Sequence, residues 1–218
     1  MEHLSAQQFQ HLLASSRLVE EDGYGPKVLR TPSGQIVKIF RRKRLLSSAL
    51  FLSYARRFAR NARRLYRLGV PTITVRRLAS CREPKRQLVW YDPLPGTTLR
   101  DWCREHPPES LMPELGAFVA QLHERGVLFR SLHWGNIIVS AQGTLGLIDI
   151  ADIRFYRRPL TLSQRQRNFQ HLLRYAEDCR LFHRFAEGFW AGYLAHSRLA
   201  PQDGRTLQAA VTSCQGQH

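Results

Sequence analysis

Between Gly23 and Arg82 the chain has no aspartate and no glutamate, while sixteen lysines and arginines fall in the same stretch. The other seventeen basic residues equal the seventeen acidic ones, so the whole formal charge of +16 belongs to that segment. A one-sided cationic surface follows. Such a field recruits polyanions: nucleic acid, an anionic membrane leaflet or a heavily phosphorylated glycolipid. Charge alone does not choose among them, and a solvated basic face that only aids solubility has the same composition. The chain also lacks a nucleic-acid reader motif and the aromatic-basic interleaving used on single strands, which argues against nucleic acid. Cysteine is scarce: Cys81, Cys103, Cys179 and Cys214 lie far apart in no metal-ligand spacing, which excludes a disulfide framework. Long apolar runs are missing too. Stretches such as Ile36-Val37, or Leu145 to Ile148 around one glycine, fall far short of the ~20 residues of a membrane span. Met1–Gln10 has no signal-sequence pattern. The expectation is a cytoplasmic protein, soluble or peripheral at the inner membrane.

What is present is enough for one compact core: 218 residues with 43% hydrophobic content. Leu4, Phe9, Leu12 and Leu13, with Ser5 as a cap, predict a short amphipathic helix before the turn-rich Glu21-Asp22-Gly23-Tyr24-Gly25-Pro26. Lys27 to Arg30 and Gln35 to Phe40 predict a strand pair around Thr31-Pro32-Ser33-Gly34. Ser47 to Leu68 reads as a long helix. Its buried seam of Tyr54, Phe58, Asn61, Leu65 and Leu68 carries one polar residue, Asn61, while Arg56, Arg60, Arg63 and Arg67 stripe another face toward solvent or an anion. Ile73 to Leu78 and Gln87 to Tyr91 read as strands. Past Pro93-Leu94-Pro95-Gly96 the pattern turns helical: Leu99 to Glu105, Leu111 to Arg125, Leu162 to Leu181 and Phe182 to His196. Two apolar runs, Asn136 to Val139 and Leu145 to Ile150, interrupt it as a hairpin. The polar tail from Pro201 is expected to be loosely ordered.

The order of parts is a glycine-containing turn, a strand with Lys38, a long helix, more strands, a helix, a loop ending in Asn136, a hairpin, and Asp149. That is the order in a protein-kinase fold. Phe129-Arg130-Ser131-Leu132-His133-Trp134-Gly135-Asn136, followed by Leu147-Ile148-Asp149-Ile150-Ala151-Asp152, resembles the catalytic and metal loops of that superfamily. With Ile36 to Phe40, Asn61 to Leu65, Pro93 to Leu99 and Gly146 to Asp152, the chain resembles the lipopolysaccharide core kinases that phosphorylate Kdo or heptose, and among them bacterial chains labelled toluene tolerance proteins. The resemblance covers about residues 20 to 195. It implies an α+β, two-lobed protein-kinase-like fold: a small antiparallel sheet with one long helix in an N-lobe (1–91), a mainly helical C-lobe (92–200), and a flexible tail (201–218).

By that resemblance Lys38 holds the α and β phosphates of ATP, Gly23 and Gly25 admit backbone amides to the phosphates, and Val89, Trp90 and Tyr91 form the hinge that meets adenine. Asn136 and Asp149 hold magnesium, since a hard cation prefers carboxylate and carbonyl oxygens. The bland readings stand beside these: an exposed strand lysine, a buried strand, a turn-capping aspartate. Asp152 is a second ligand, a base or a turn residue. Two departures matter. Ser131 stands where kinases have the aspartate that takes the acceptor's proton, and Asn61 stands where the strand lysine's glutamate partner belongs. His133 is either a structural histidine or a substitute base. The expected activity is ATP-dependent phosphoryl transfer to a sugar hydroxyl of the lipopolysaccharide core, with Arg56, Arg60, Arg63 and Arg67 drawing in the anionic acceptor; the alternative is a pseudokinase.

Overall fold

A computed structural model describes residues 1–41 and 54–212 of the chain. The architecture is mixed α and β, with a mixed six-stranded sheet and eight helices among the described residues. The chain divides into two compact units, Met1–Leu94 and Pro95–His218. The first unit runs β1 (Glu2–Leu4), α1 (Ala6–Ser15), β2 (Arg17–Asp22), β3 (Gly25–Arg30), β4 (Ile36–Arg41), α2 (Tyr54–Arg67), β5 (Thr74–Cys81) and β6 (Arg86–Asp92). The strands lie in the order β1-β5-β6-β4-β3-β2, all antiparallel except β1 with β5.

Strand alternation decides what each face of this sheet carries. Val37 and Ile39 of β4 join Leu88 and Trp90 of β6 in a core closed by Phe9, on the helix that Ser5 caps. Lys38 and Phe40 fall on the opposite face, where Phe58 of α2 packs: the Phe40 and Phe58 ring centroids are 5.9 Å apart. The α2 seam of Ala55, Phe58, Asn61, Ala62 and Leu65 is buried, and Arg56, Arg60, Arg63 and Arg67 are exposed on its far side. The first part of the expected helix, 47–53, lies outside the described residues. Two differences concern the N-terminus. Leu4 belongs to β1, pairing with Cys81, rather than to the helix. Glu21 and Asp22 belong to β2 rather than to a turn, because ladder bonds to β3 and the Lys27–Glu20 ion pair at 3.0 Å hold this edge strand without burying it.

The second unit comprises β7 (Thr97–Thr98), α3 (Leu99–Glu105), α4 (Met112–Glu124), β8 (Val127–Phe129), β9 (Ile137–Val139), β10 (Leu145–Leu147), β11 (Ile153–Phe155), α5 (Leu162–Leu172), α6 (Ala176–Arg184), α7 (Ala186–His196) and α8 (Pro201–Thr212). Helices α4 and α7 touch through backbone. A Cβ on Gly116 would stand 2.0 Å from the Phe189 carbonyl oxygen and one on Gly192 1.9 Å from that of Pro113, so glycine is what permits this crossing. Phe169, Phe182, Phe189, Trp190 and Tyr193 fill the space beside it with tilted, edge-on and stacked ring pairs.

The expected single helix from Leu162 to Leu181 is two, α5 and α6. The break falls before Glu177 and Asp178, whose charges favour the N-terminus of a new helix. Likewise α7 begins at Ala186, and Phe182 ends up in α6. The tail expected to be loosely ordered forms α8, because Leu207 and Val211, one turn apart, are both buried; residues 213–218, with Cys214, lie outside the described residues. Cys81, Cys103 and Cys179 form no disulfide among the described residues. Among the described residues no helix is long and apolar enough to cross a membrane.

Beneath β8 runs a buried polar chain whose direction is fixed by chemistry. The Arg165 guanidinium only donates, so the Tyr193 hydroxyl accepts from it at 3.0 Å and gives its own hydrogen to His123 Nδ1 at 2.8 Å. At the other end Asn168 Nδ2 donates to the Phe129 carbonyl at 2.7 Å, so Asn168 Oδ1 accepts from His123 Nε2 at 3.2 Å. His123 is therefore the neutral Nε2–H tautomer. Burial, reinforced by the Arg165 charge, pushes its pKa down to about 3. The chain ends on the residue before Arg130, and so anchors the loop that carries the candidate site.

Candidate functional site

Ser131, His133, Asn136, Asp149 and Asp152 are brought together by the β9–β10 hairpin in the Pro95–His218 unit. Leu147 pairs with Ile137, and the Ile148 amide donates to the Asn136 carbonyl at 3.0 Å, which closes the hairpin base and sets Asp149 beside Asn136. The Arg130 amide donates to the Asp152 carbonyl at 3.2 Å, tying the second acidic residue to the same loop. Asp149 has φ 51° and ψ 40°, and is the only described non-glycine residue at positive φ. That conformation costs of order 1 kcal/mol, is tolerated best by Asp and Asn, and concentrates at functional sites. The Asp149 side chain is at the surface, whereas Asn136 is nearly buried.

The Asn136 amide has a defined orientation. Its Nδ2 lies 2.9 Å from the Ser131 carbonyl, which can only accept, so that atom is the nitrogen. The same Nδ2 lies 3.1 Å from His133 Nε2. His133 Nε2 must then be the acceptor, and the ring proton sits on Nδ1, which is buried and has no hydrogen-bond partner among the described residues. With both amide hydrogens engaged, Asn136 presents Oδ1 alone. Burial, helped by the Arg100 charge, holds the His133 pKa below the usual value, against the opposing pull of Asp178 and Asp149. The neutral ring this maintains is the one that can accept from Asn136. His133 is thus a residue that orients Asn136, and the substitute-base reading is set aside because its basic nitrogen is already engaged.

Sequence reasoning missed the group that braces this loop. Asp178 of α6 is fully buried and accepts from Arg100 Nε and Nη2, both at 2.8 Å, and from the Trp134 amide at 3.3 Å. A bidentate guanidinium–carboxylate pair with an added backbone bond is the arrangement that makes a buried ion pair tolerable. Arg100 lies 4.6 Å over the Tyr175 ring, whose edge meets His133 at 5.1 Å. The only sequence trace of this was the acidic pair Glu177-Asp178 inside an otherwise basic stretch.

In the Met1–Leu94 unit, Lys38 is half-buried on the α2 face of the sheet, its Nζ 5.9 Å from the Phe58 ring centroid, and Tyr91 meets the same ring at 5.5 Å. Asn61 is buried one turn beyond Phe58. Two expectations need correction. Val89, Trp90 and Tyr91 lie inside β6, paired with β4 on one side and β5 on the other, so their backbone groups serve the sheet; chain outside the ladders begins after Asp92. Gly23 and Tyr24 form a two-residue hairpin loop, and Gly25 opens β3, paired with Asp22. The Asp22 carboxylate there accepts from the Tyr24 amide at 2.9 Å and from Arg41. A carboxylate thus takes the Tyr24 amide and sets negative charge in this turn, where a phosphate would be repelled, and these glycines are withdrawn from the nucleotide contacts.

No protein-family model and no curated protein matches the chain. Among the described residues no three His, Cys, Asp or Glu side chains gather into a metal-ligating group. One amide oxygen and one carboxylate at a hairpin base fit a magnesium ion that takes its remaining ligands from phosphate and water, which is how that ion is commonly held.

Proposed function

We propose that the chain is a magnesium-dependent ATP phosphotransferase acting on a hydroxyl of an anionic sugar or glycolipid, with the two-lobed kinase-like arrangement that this chemistry uses. The observation that carries the reading is the hairpin base, where Asn136 Oδ1 is the amide's remaining polar atom and Asp149 stands next to it in a left-handed conformation. Asn136 and Asp149 would hold magnesium, which when bound neutralises charge on the transferring phosphoryl group. Lys38, on the helix-covered face of its sheet, is assigned to the α and β phosphates, and contact with adenine passes from Val89–Tyr91 to the segment after Asp92. Ser131 cannot take the acceptor's proton at neutral pH. Because the transition state of phosphoryl transfer is loose, positioning and charge supply most of the catalysis and a strong base is dispensable. Asp152 stays beside the loop as the carboxylate able to orient the hydroxyl. The exposed Arg56, Arg60, Arg63 and Arg67 supply the field that brings an anionic acceptor or an inner-membrane surface to the first unit.

Ser131 equally favours a second reading, a pseudokinase that binds nucleotide or a partner without efficient transfer. Thermal shift and calorimetry with Mg-ATP test the shared premise. Stabilisation is expected in the wild type and is expected to vanish in Asp149→Asn and in Lys38→Ala; a wild type indifferent to Mg-ATP removes both readings. Phosphate incorporation into core oligosaccharide then separates kinase from pseudokinase.

A further inference from the structure

One cation cluster of the Pro95–His218 unit has no part in the nucleotide and metal contacts above. Arg167 and His171 stand four residues apart on α5 and share a face of that helix, and Arg174 follows just past its end at Leu172. Asn168, next to Arg167, ties α5 to the Phe129 carbonyl, one residue before Arg130. Arg130, Arg167 and Arg174 are exposed and make no ion pair among the described residues. All three lie close enough to His171 to add to the downward push that burial exerts on its pKa, and no carboxylate opposes them there. His171 Nε2 is buried with no hydrogen-bond partner among the described residues. Like charges gathered without a counter-charge repel one another until an anion joins them. The cluster also adjoins the candidate loop: Arg130 precedes Ser131, and the Arg174 charge reaches His133, which holds Asn136.

We propose that Arg130, Arg167, His171 and Arg174 form a subsite for a phosphomonoester carried by the acceptor. Guanidinium groups match phosphate oxygens in paired, charge-assisted hydrogen bonds, and the buried imidazole edge supplies a further polar contact. The acceptor class this defines is a sugar that already bears a phosphate, its free hydroxyl reaching toward Ser131 and Asp149. The inference rests on the kinase reading for one point only, that the phosphate belongs to the acceptor.

The test is calorimetric titration of the full chain with inorganic phosphate in the absence of nucleotide. Arg167→Gln/Arg174→Gln is expected to weaken binding by about tenfold or more, as loss of charge-assisted bonds does, while Lys85→Gln, at an exposed lysine of the other unit, leaves it unchanged. These arginines are exposed, so the variants should keep the wild-type melting temperature; Arg130→Gln, read the same way, serves as a second probe. Absence of phosphate binding to the wild type, equal binding by the folded arginine variants, or loss of binding in Lys85→Gln overturns the subsite. Competition by glucose 6-phosphate would mark a soluble sugar phosphate as carrier. Retention on phosphatidylcholine vesicles containing phosphatidic acid, lost in the double variant, would mark a lipid. Mg-ATP binding measured in parallel keeps the two ideas apart: if it persists while phosphate fails to bind, the subsite alone falls, and the converse result removes only the kinase reading.

Discussion

Mild acid should destabilise this protein through His123, and the size of the effect follows from its surroundings. The ring is fully buried and neutral, accepting from Tyr193 at Nδ1 and donating from Nε2 to Asn168. Unfolded, it titrates at the ordinary 6.5; folded, at about 3. Between those values the unfolded chain binds one proton more than the folded chain, so stability falls as pH falls, by about 1.4 kcal/mol per pH unit. Lowering the pH to 5 therefore removes about 2 kcal/mol through this ring, a large share of the roughly 5–15 kcal/mol that typical domains have. Burial depresses His133, His171 and His183 as well, which adds to the acid loss in the same direction. The assay is urea unfolding at pH 7 and pH 5 for the wild type and for His123→Gln, in which the other histidines remain and cancel. A wild type that loses no more stability than the variant over this interval would refute the buried, neutral assignment.

Other consequences are equally specific. Gly192→Ala would put a Cβ 1.9 Å from the Pro113 carbonyl oxygen. Forcing α7 off α4 should cost about 3 kcal/mol and lower the melting temperature by roughly 6–12 °C. Asp178→Ala leaves Arg100 and the Trp134 amide without their acceptor and should destabilise by about 3–5 kcal/mol in chemical denaturation; an unchanged midpoint would show that the pair does not brace the loop. Ser131→Asp restores a proton acceptor and should raise phosphate incorporation by about 10²–10⁴ if a missing base limits transfer. A rate unaltered by that change, in a protein still binding Mg-ATP, would place the limitation elsewhere.

Periodic segments with one buried face were legible in the chain alone. The alternation of Ile36 to Phe40 and the three- and four-residue spacing of Phe58, Asn61 and Leu65 set strand, helix and inward face, because burial of one side is a local pattern. Elements stabilised from a distance were not. The edge strand β2 buries almost nothing and is held by ladder bonds and ion pairs with residues its own sequence does not reveal. Helix α8 depends on two apolar residues in a polar stretch meeting the second unit. At the site, Asn136 and Asp149 were visible from their spacing around a hairpin. The orienting contact from His133 and the brace from Asp178, 42 residues beyond Asn136, were invisible because both are set by tertiary packing. The glycine turn misled for a related reason: two glycines signal a reversal of direction, but Asp22 decides what charge the turn accepts.

A crystal structure of the full chain with a nonhydrolysable ATP analogue and magnesium addresses the central claim most directly. The account predicts oxygen ligation of the ion by Asn136 Oδ1 and the Asp149 carboxylate, with Lys38 Nζ against the α and β phosphates. Nucleotide bound elsewhere, or an Asn136 amide turned so that its nitrogen faces the ion, would contradict it.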